Sequence, residues 1–350
     1  MTLPDPHRHP AWFGAVMGTG ALALTFAAEA TAWQWAWLTT VAGIVLLAAS
    51  LLAVALLPRY VRRLGDRAAL GHELADPGHG PMLATVPAGV LVLAVGWGRI
   101  GPELLPTSLA LWIDAVLLVV GAVLAVVFGL AWSATILRET PGLEGVNGGW
   151  LIPPVMNMLV PLALAPLMVA NPSIAPLLAI VGFAFLGVGT VLFLALLPLL
   201  IARLALRTPL PAAMAPSLWI PLAPAGVVGL STLRLLQAAT EAEVSGFNGA
   251  TAGVVIAAMG VGFGLWWAAF AAVELRRIRR AGGPPLHPGW WGFVFPIAAM
   301  TLSTAAIGAA MNVWLIEVLG LIATVGLTGL WLFVVARTAR LLPRRRQQPT

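Results

Sequence analysis

The sequence predicts an all-α integral membrane protein of ten transmembrane helices. Three observations predict the ten spans: the composition, ten long apolar runs, and a one-sided distribution of arginine. The placement of proline along them suggests five helical hairpins, with an inner ring of kinked odd-numbered helices and an outer ring of even-numbered helices. Of the 350 residues, 60% are hydrophobic and only 9% are charged, whereas a soluble domain carries about 25% charged residues. A water-soluble fold of this length could not hide so much apolar surface, and a bilayer removes the need. The 37 glycines and 28 prolines lie inside Leu/Val/Ala-rich runs, where neighbouring helices satisfy freed backbone groups. The chain is therefore not low-complexity. It has no cysteine, which excludes disulfides, thiolate metal sites and cysteine nucleophiles.

A helix needs about 20 apolar residues to cross the hydrocarbon core. Ten segments qualify: 12–30, 37–57, 81–97, 109–135, 150–170, 174–204, 217–239, 250–273, 290–309 and 313–336. Continuous runs of this length disfavour a β-barrel, whose strands alternate in polarity. No small-residue cleavage site follows the first run, so it reads as a retained span. Arg59, Arg62, Arg63 and Arg67 follow the second span, Arg138 the fourth, and Arg203 and Arg207 the sixth. Arg276, Arg277, Arg279 and Arg280 follow the eighth span, and Arg337, Arg340, Arg344, Arg345 and Arg346 the tenth. With Arg8, this puts every arginine except Arg99 and Arg234 on one side. The positive-inside rule then predicts a multi-pass protein of the plasma (inner) membrane with both termini cytoplasmic. Residues 1–11 form a cytoplasmic N-terminus, 12–336 a single transmembrane domain, and 337–350 a basic cytoplasmic tail. This topology accounts for the net charge of +6, so nucleic acid is not an expected partner.

The odd spans differ from the even ones. Pro87 lies inside the third, Pro153 and Pro154 inside the fifth, Pro221 and Pro224 inside the seventh, and Pro296 inside the ninth; the first has Gly14, Gly18 and Gly20 instead. Interior proline removes a backbone hydrogen bond and kinks a helix. In lipid the freed carbonyl must face protein or a watery cavity. The odd spans therefore read as pore-lining. Gly14, Gly18, Ala21 and Thr25 share one helix face, and Thr85, Asn157, Ser231, Thr232, Thr301, Ser303 and Thr304 add hydroxyls and an amide. No Asp, Glu, His or Lys sits in the middle of an odd span, so such a lining is neutral. Small faces also serve as packing seams, and Ser and Thr often bond only their own turn. Spacing alone leaves both readings open. No strong residue-level repeat accompanies the two-helix period.

Two stretches narrow the choice: Pro10-Ala-Trp-Phe-Gly-Ala-Val-Met-Gly-Thr-Gly20 opens the first span, and Trp290-Trp-Gly-Phe-Val-Phe-Pro296 opens the ninth. With Trp150-Leu-Ile-Pro153 and Leu222-Ala-Pro-Ala225, they resemble the tellurite-resistance/dicarboxylate transporter family. That family includes tellurite-resistance channel homologues, malate permeases, sulfite exporters and plant guard-cell slow anion channels. The resemblance covers nearly the whole chain. It implies transport of small anions (inorganic monovalent anions, oxyanions or C4-dicarboxylates) through a pore in each protomer of a homotrimer, with no cofactor. It also implies that Phe295, next to Pro296, plugs the pore, that Gly14 gives that ring room, and that Phe293 need not face the pore. A ring across a narrow pore blocks ions sterically and by dewetting. Its face repels anions, whereas its edge attracts them mildly. The alternatives are a proton-coupled malate/C4-dicarboxylate permease or a sulfite or tellurite exporter. Coupling requires an ionisable relay, which the odd spans lack, although a dicarboxylate could carry its own proton.

The charged residues differ in what their positions allow. Arg234, late in the seventh span, could draw anions to an outer vestibule or snorkel to headgroups. Arg99 beside Glu103 reads as a solvated loop residue. Asp114 and Glu317 read as helix-end or interprotomer contacts. All five histidines fall in loops, so no haem, zinc or other metal site is expected. His79 and His287, which precede the third and ninth spans, could sense pH at the pore mouth. No nucleophile, base or metal constellation lies at membrane depth, so no catalytic residue is named.

Overall fold

The computed structural model describes residues 9–247 and 249–341. Arg8, Arg344, Arg345 and Arg346, with most of the expected N-terminal segment and basic tail, lie outside the described residues. Among the described residues there is no β-strand. The helices are α1 (Gly14–Ala32), α2 (Ala36–Leu64), α3 (Arg67–Ala75), α4 (Thr85–Arg99), α5 (Thr107–Glu139) and α6 (Ile152–Ala170). They continue as α7 (Ala175–Leu206), α8 (Leu222–Glu241), α9 (Thr251–Arg280), α10 (Val294–Met311) and α11 (Trp314–Ala339). All but the short α3 belong to ten segments long and apolar enough to cross a membrane.

Burial sorts the spans into two sets. The spans built on α1, α4, α6, α8 and α10 are 67–89% buried within the molecule, and those built on α2, α5, α7, α9 and α11 only 22–28%. Each inner helix packs on its sequence partner: α1 with α2, α4 with α5, α6 with α7, α8 with α9 and α10 with α11. The inner helices also pack in series, α1 on α4, α4 on α6, α6 on α8 and α8 on α10, and α10 returns to α1. Glycine allows the closest of these approaches. A Cβ on Gly226 of α8 would lie 2.7 Å from the Ala299 backbone of α10, and one on Gly229 would lie 2.1 Å from Ala257 Cα of α9. Small residues let backbones meet where lipid supplies no hydrophobic drive between helices.

Pro87, Pro154, Pro224 and Pro296 sit at the starts of their α-helices rather than in the interior, which corrects the reading of them as kinks. Each inner span opens with a 3-10 segment: Pro10–Phe13, Gly80–Ala84, Gly148–Leu151, Ala212–Trp219 and Pro288–Phe293. The four prolines each occupy the third residue of the α-helix that follows. An N–H in the first turn has no intrahelical acceptor, so proline there loses nothing. The α-helix alone would be too short. The 15 residues of α4 span about 22 Å, and the five-residue entry adds about 10 Å, which together match the hydrocarbon thickness of about 30 Å. Pro161 and Pro166, both in α6, are the interior prolines of the inner helices.

Candidate functional site

The 3-10 entries converge on one cavity of about 740 Å³: four of them line it, the Gly148–Leu151 entry reaches it through its flanking residues Asn147 and Ile152, and Arg203 joins from the end of α7. It lies at the end of the bundle carrying the arginine-rich connections. Three entries are capped alike: Nδ1 of His9 accepts from Ala11 N (3.1 Å), Oδ1 of Asn147 from Gly149 N (2.8 Å), and Nδ1 of His287 from Gly289 N (3.1 Å). This reveals a repeat in the sequence: His9-Pro-Ala-Trp-Phe-Gly14, Asn147-Gly-Gly-Trp150 and His287-Pro-Gly-Trp-Trp-Gly292. A cap residue, then Pro or Gly, a small residue and tryptophan, was the signal that could have identified the entries.

At its inner end the cavity meets Phe295. Beyond it lies a second cavity of about 20 Å³, and among the described residues Phe295 alone lines both. Around the small cavity, Ala21, Val92, Leu159, Val227 and Ala299 supply one residue from each inner helix. Leu24, Val95, Leu162, Leu230 and Leu302, each three residues further on, supply a second tier. The lining is wholly apolar.

That lining corrects most of the expected polar one, of which Thr85 alone borders the large cavity among the described residues. Thr25, Asn157, Ser231 and Thr301 line neither cavity. Their side chains bond the carbonyls of Leu22 (2.7 Å), Pro153 (2.9 Å), Met158 (2.6 Å) and Ile297 (2.9 Å). Three satisfy their own helix, and Ser231 ties α8 to α6. Next to three of them in the chain, Leu24, Leu230 and Leu302 face the axis instead. A polar group in lipid finds its lowest energy at a backbone acceptor.

Gly14 borders the large cavity, but a Cβ there would meet Trp291 Cβ at 3.2 Å. It thus makes room for Trp291 rather than for the ring of Phe295. Gly18 lies outside both cavities, and a Cβ on it would meet Val294 Cγ1 at 3.0 Å. The two glycines form the seam of α1 with the start of α10. Of the prolines, Pro296 borders the large cavity, and Pro87, Pro154 and Pro224 line neither. Phe293 packs edge-on against Trp219 and Trp290.

Arg234 also lines neither cavity; its Nη1 donates to Gln237 Oε1 at 3.0 Å. Asp114 is fully buried within the chain, close to where a Gly98 Cβ would fall, and its carboxylate oxygens have no hydrogen-bond partner. It is therefore not an interprotomer contact. Glu29, at the end of α1, is a buried carboxylate that the sequence reading passed over. It accepts from Trp33 Nε1 at 2.9 Å and from Thr324 Oγ1 at 3.1 Å, joining α1 to α11.

The mouth of the large cavity holds the charge. Arg203, 4% exposed, donates to the carbonyls of Glu144 (3.3 Å) and Thr208 (2.6 Å). His79 Nδ1 lies 3.2 Å from Asp76 Oδ1. That contact raises His79 and lowers Asp76 to about 2. Burial, then the nearby charges of His287, His79 and Arg63, push His9 down to about 3. Burial lowers His287 as well. Among the described residues, no group of three or more His, Cys, Asp or Glu is placed to hold a metal ion.

Residues 7–339 match the SLAC1 family, described as voltage-dependent anion channel. An uncharacterized transporter of Methanocaldococcus jannaschii is 28% identical over 318 residues, covering 89% of this chain and 86% of its own length. A sulfite efflux pump of Trichophyton rubrum is 26% identical over 354 residues, covering 94% and 89%. A second sulfite efflux pump, of Arthroderma benhamiae, shows the same identity and coverage.

Proposed function

Because this chain belongs to the voltage-dependent anion channel (SLAC1) family, a family of channels and transporters and not of enzymes, we propose that it passes small anions along the axis of its five inner helices, with Phe295 as the plug. The observation that carries this reading is the position of Phe295 between a wide vestibule and an apolar constriction. The vestibule admits a hydrated ion. The constriction excludes one for want of water and of any group to replace it. A turn of the phenylalanine and wetting of the two apolar tiers open the path.

The pathway is passive on this reading, because no ionisable side chain lines the constriction. The arginine-rich end, and the vestibule with it, faces the cytoplasm by the positive-inside rule. The relatives named as sulfite efflux pumps make sulfite leaving the cell the oxyanion to test beside chloride and nitrate. Assembly as a homotrimer rests on the family resemblance alone; the mass of the protein in a native lipid particle tests it.

The functional test is anion efflux from liposomes holding the full-length protein, native against Phe295→Ala, with no pH gradient. Flux of chloride, nitrate or sulfite that the variant raises at least tenfold supports the plug. Equal flux removes Phe295 from the role. Flux that needs a pH gradient in both proteins replaces the passive pathway with a coupled carrier.

A further inference from the structure

The vestibule mouth brings together three histidines that are far apart in the chain. The ring of His9 lies 5.5 Å from that of His79 and 5.4 Å from that of His287, centre to centre. All three line the large cavity. Their hydrogen bonds fix how the ring nitrogens are used. Nδ1 of His9 accepts from Ala11 N, so its proton sits on Nε2, which has no partner among the described residues. His287 accepts at Nδ1 and places Nε2 2.8 Å from Ala213 O, so it too is neutral with the proton on Nε2. His79 turns Nδ1 to Asp76 and leaves its other nitrogen without a partner. The cluster therefore offers N–H groups to the cavity from two sides.

The geometry points to a proton-linked anion site made by His9, His79 and His287, which takes a small inorganic anion such as nitrate together with a proton. This assignment rests on the reading of the cavity as an anion vestibule. The field at His9 is already positive, because Arg63 and a protonated His79 face it, and any charge on His287 would add to it. The acidic groups nearby are engaged: Asp76 with His79, and Glu73 with Arg63. A second positive charge inside the cluster is therefore costly unless an anion comes with it. The sign follows. With no anion, the depressed His9 opposes folding as pH falls below 6.5 towards about 3, because the unfolded chain binds the proton and the folded one does not. An anion among the three rings lifts that penalty. By reciprocity, acid tightens the anion.

The chain itself supplies the control. Asn147 caps its entry as His9 and His287 cap theirs, through an oxygen accepting from the N–H two residues on. The double variant His9→Asn, His287→Asn therefore keeps both caps and removes two of the three rings, and His79→Gln added to it removes the third.

Nitrate is titrated into full-length protein in lipid nanodiscs, in gluconate buffer at about pH 7.5 and about pH 5, with the thermal midpoint as readout. In the native protein the nitrate dissociation constant falls at least about threefold at the lower pH, below the ceiling of about tenfold per pH unit for one linked proton. The nitrate-free midpoint of the double variant at the higher pH stays near native, and with His79→Gln added the pH dependence disappears. Equal native affinity at both values, or a pH dependence that survives once all three rings are replaced, overturns the assignment. Nitrate flux through liposomes with no midpoint shift at either pH also overturns it and leaves the pathway standing. Absence of both flux and shift overturns the pathway reading as well.

Discussion

Replacing Phe295 by alanine removes the one side chain among the described residues that borders both axial cavities. The space beyond it is about 20 Å³. A water molecule needs roughly 10–15 Å³ of such volume, so the native constriction holds about one and no continuous water column. Loss of the ring extends the 740 Å³ vestibule into that space. Each 1.4 kcal/mol removed from the barrier is worth about tenfold in rate, so a rise of tenfold or more requires only a modest part of what a steric plug contributes. The cost to folding is limited too. Phe→Ala in a closed core costs about 3–5 kcal/mol because it leaves a void. Here the ring already adjoins open space on both sides, so lost contact dominates, about 1.5–3 kcal/mol. The control is Phe293→Ala, which unseats an aromatic packed between Trp219 and Trp290 without touching the axis. Chloride efflux from liposomes is the assay, with circular dichroism melting on the same samples. If Phe295→Ala conducts within about twofold of native, or if Phe293→Ala raises flux as much, the plug assignment fails.

Other outcomes follow from the same geometry. Leu230→Ser, which puts a hydroxyl into the second apolar tier, should wet the constriction and raise basal efflux even with Phe295 in place. Ser231→Ala, one residue away, removes the 2.6 Å bond to Met158 O; melting should show a loss of about 1 kcal/mol with efflux unchanged. Asp76→Asn should lower the pKa of His79 in an NMR titration. In the native protein the pair contributes most between pH 3.8 and 6.5: Asp76 contributes above its unfolded value and loses that as pH falls through about 2, and His79 contributes below 6.5 and loses that as pH rises through its raised folded value. Asp114→Leu should raise the melting temperature, because it replaces a buried carboxylate that has no partner; an unpaired buried polar group costs about 1–3 kcal/mol.

Helix count and the inner and outer sets were legible because they follow from hydropathy and composition, which a bilayer enforces on every span. The prolines marked the right helices, but their part was misread. Proline within an apolar run looks the same whether it breaks a helix or begins one, and only the 3-10 entries distinguish Pro87, Pro154, Pro224 and Pro296 from Pro161. Lining residues were harder still. A rotation of one residue about a helix axis exchanges Thr25 for Leu24 and Ser231 for Leu230, and the neutral, small faces carry no charge to fix that rotation from sequence. The vestibule was hidden because His9, Asn147 and His287 meet only once three distant entries are assembled. Their shared pattern of cap, turn residue and tryptophan was in the sequence, but at a period too irregular to read as a repeat.

On the proposed reading of Phe295 as a plug, the placement of the hydroxyls also accounts for a path that is shut and still opens readily. Ser231 holds α8 to α6, Thr324 and Trp331 hold α11 to α1, and the axis is left to Phe295 and the two apolar tiers. Had the polar side chains faced inward, water would follow them through the bundle and the resting state would leak. Had a buried ion pair closed the axis, opening would mean separating charges in a dry interior, a cost of several kcal/mol per ion. Closure by dewetting breaks no hydrogen bond when it is released. On that proposal, opening would require a rotamer change at Phe295 and entry of water into a gap that already has room for about one molecule. The side chains that hold the helices together and those that stop the ion are different ones, so the path can open with the bundle intact.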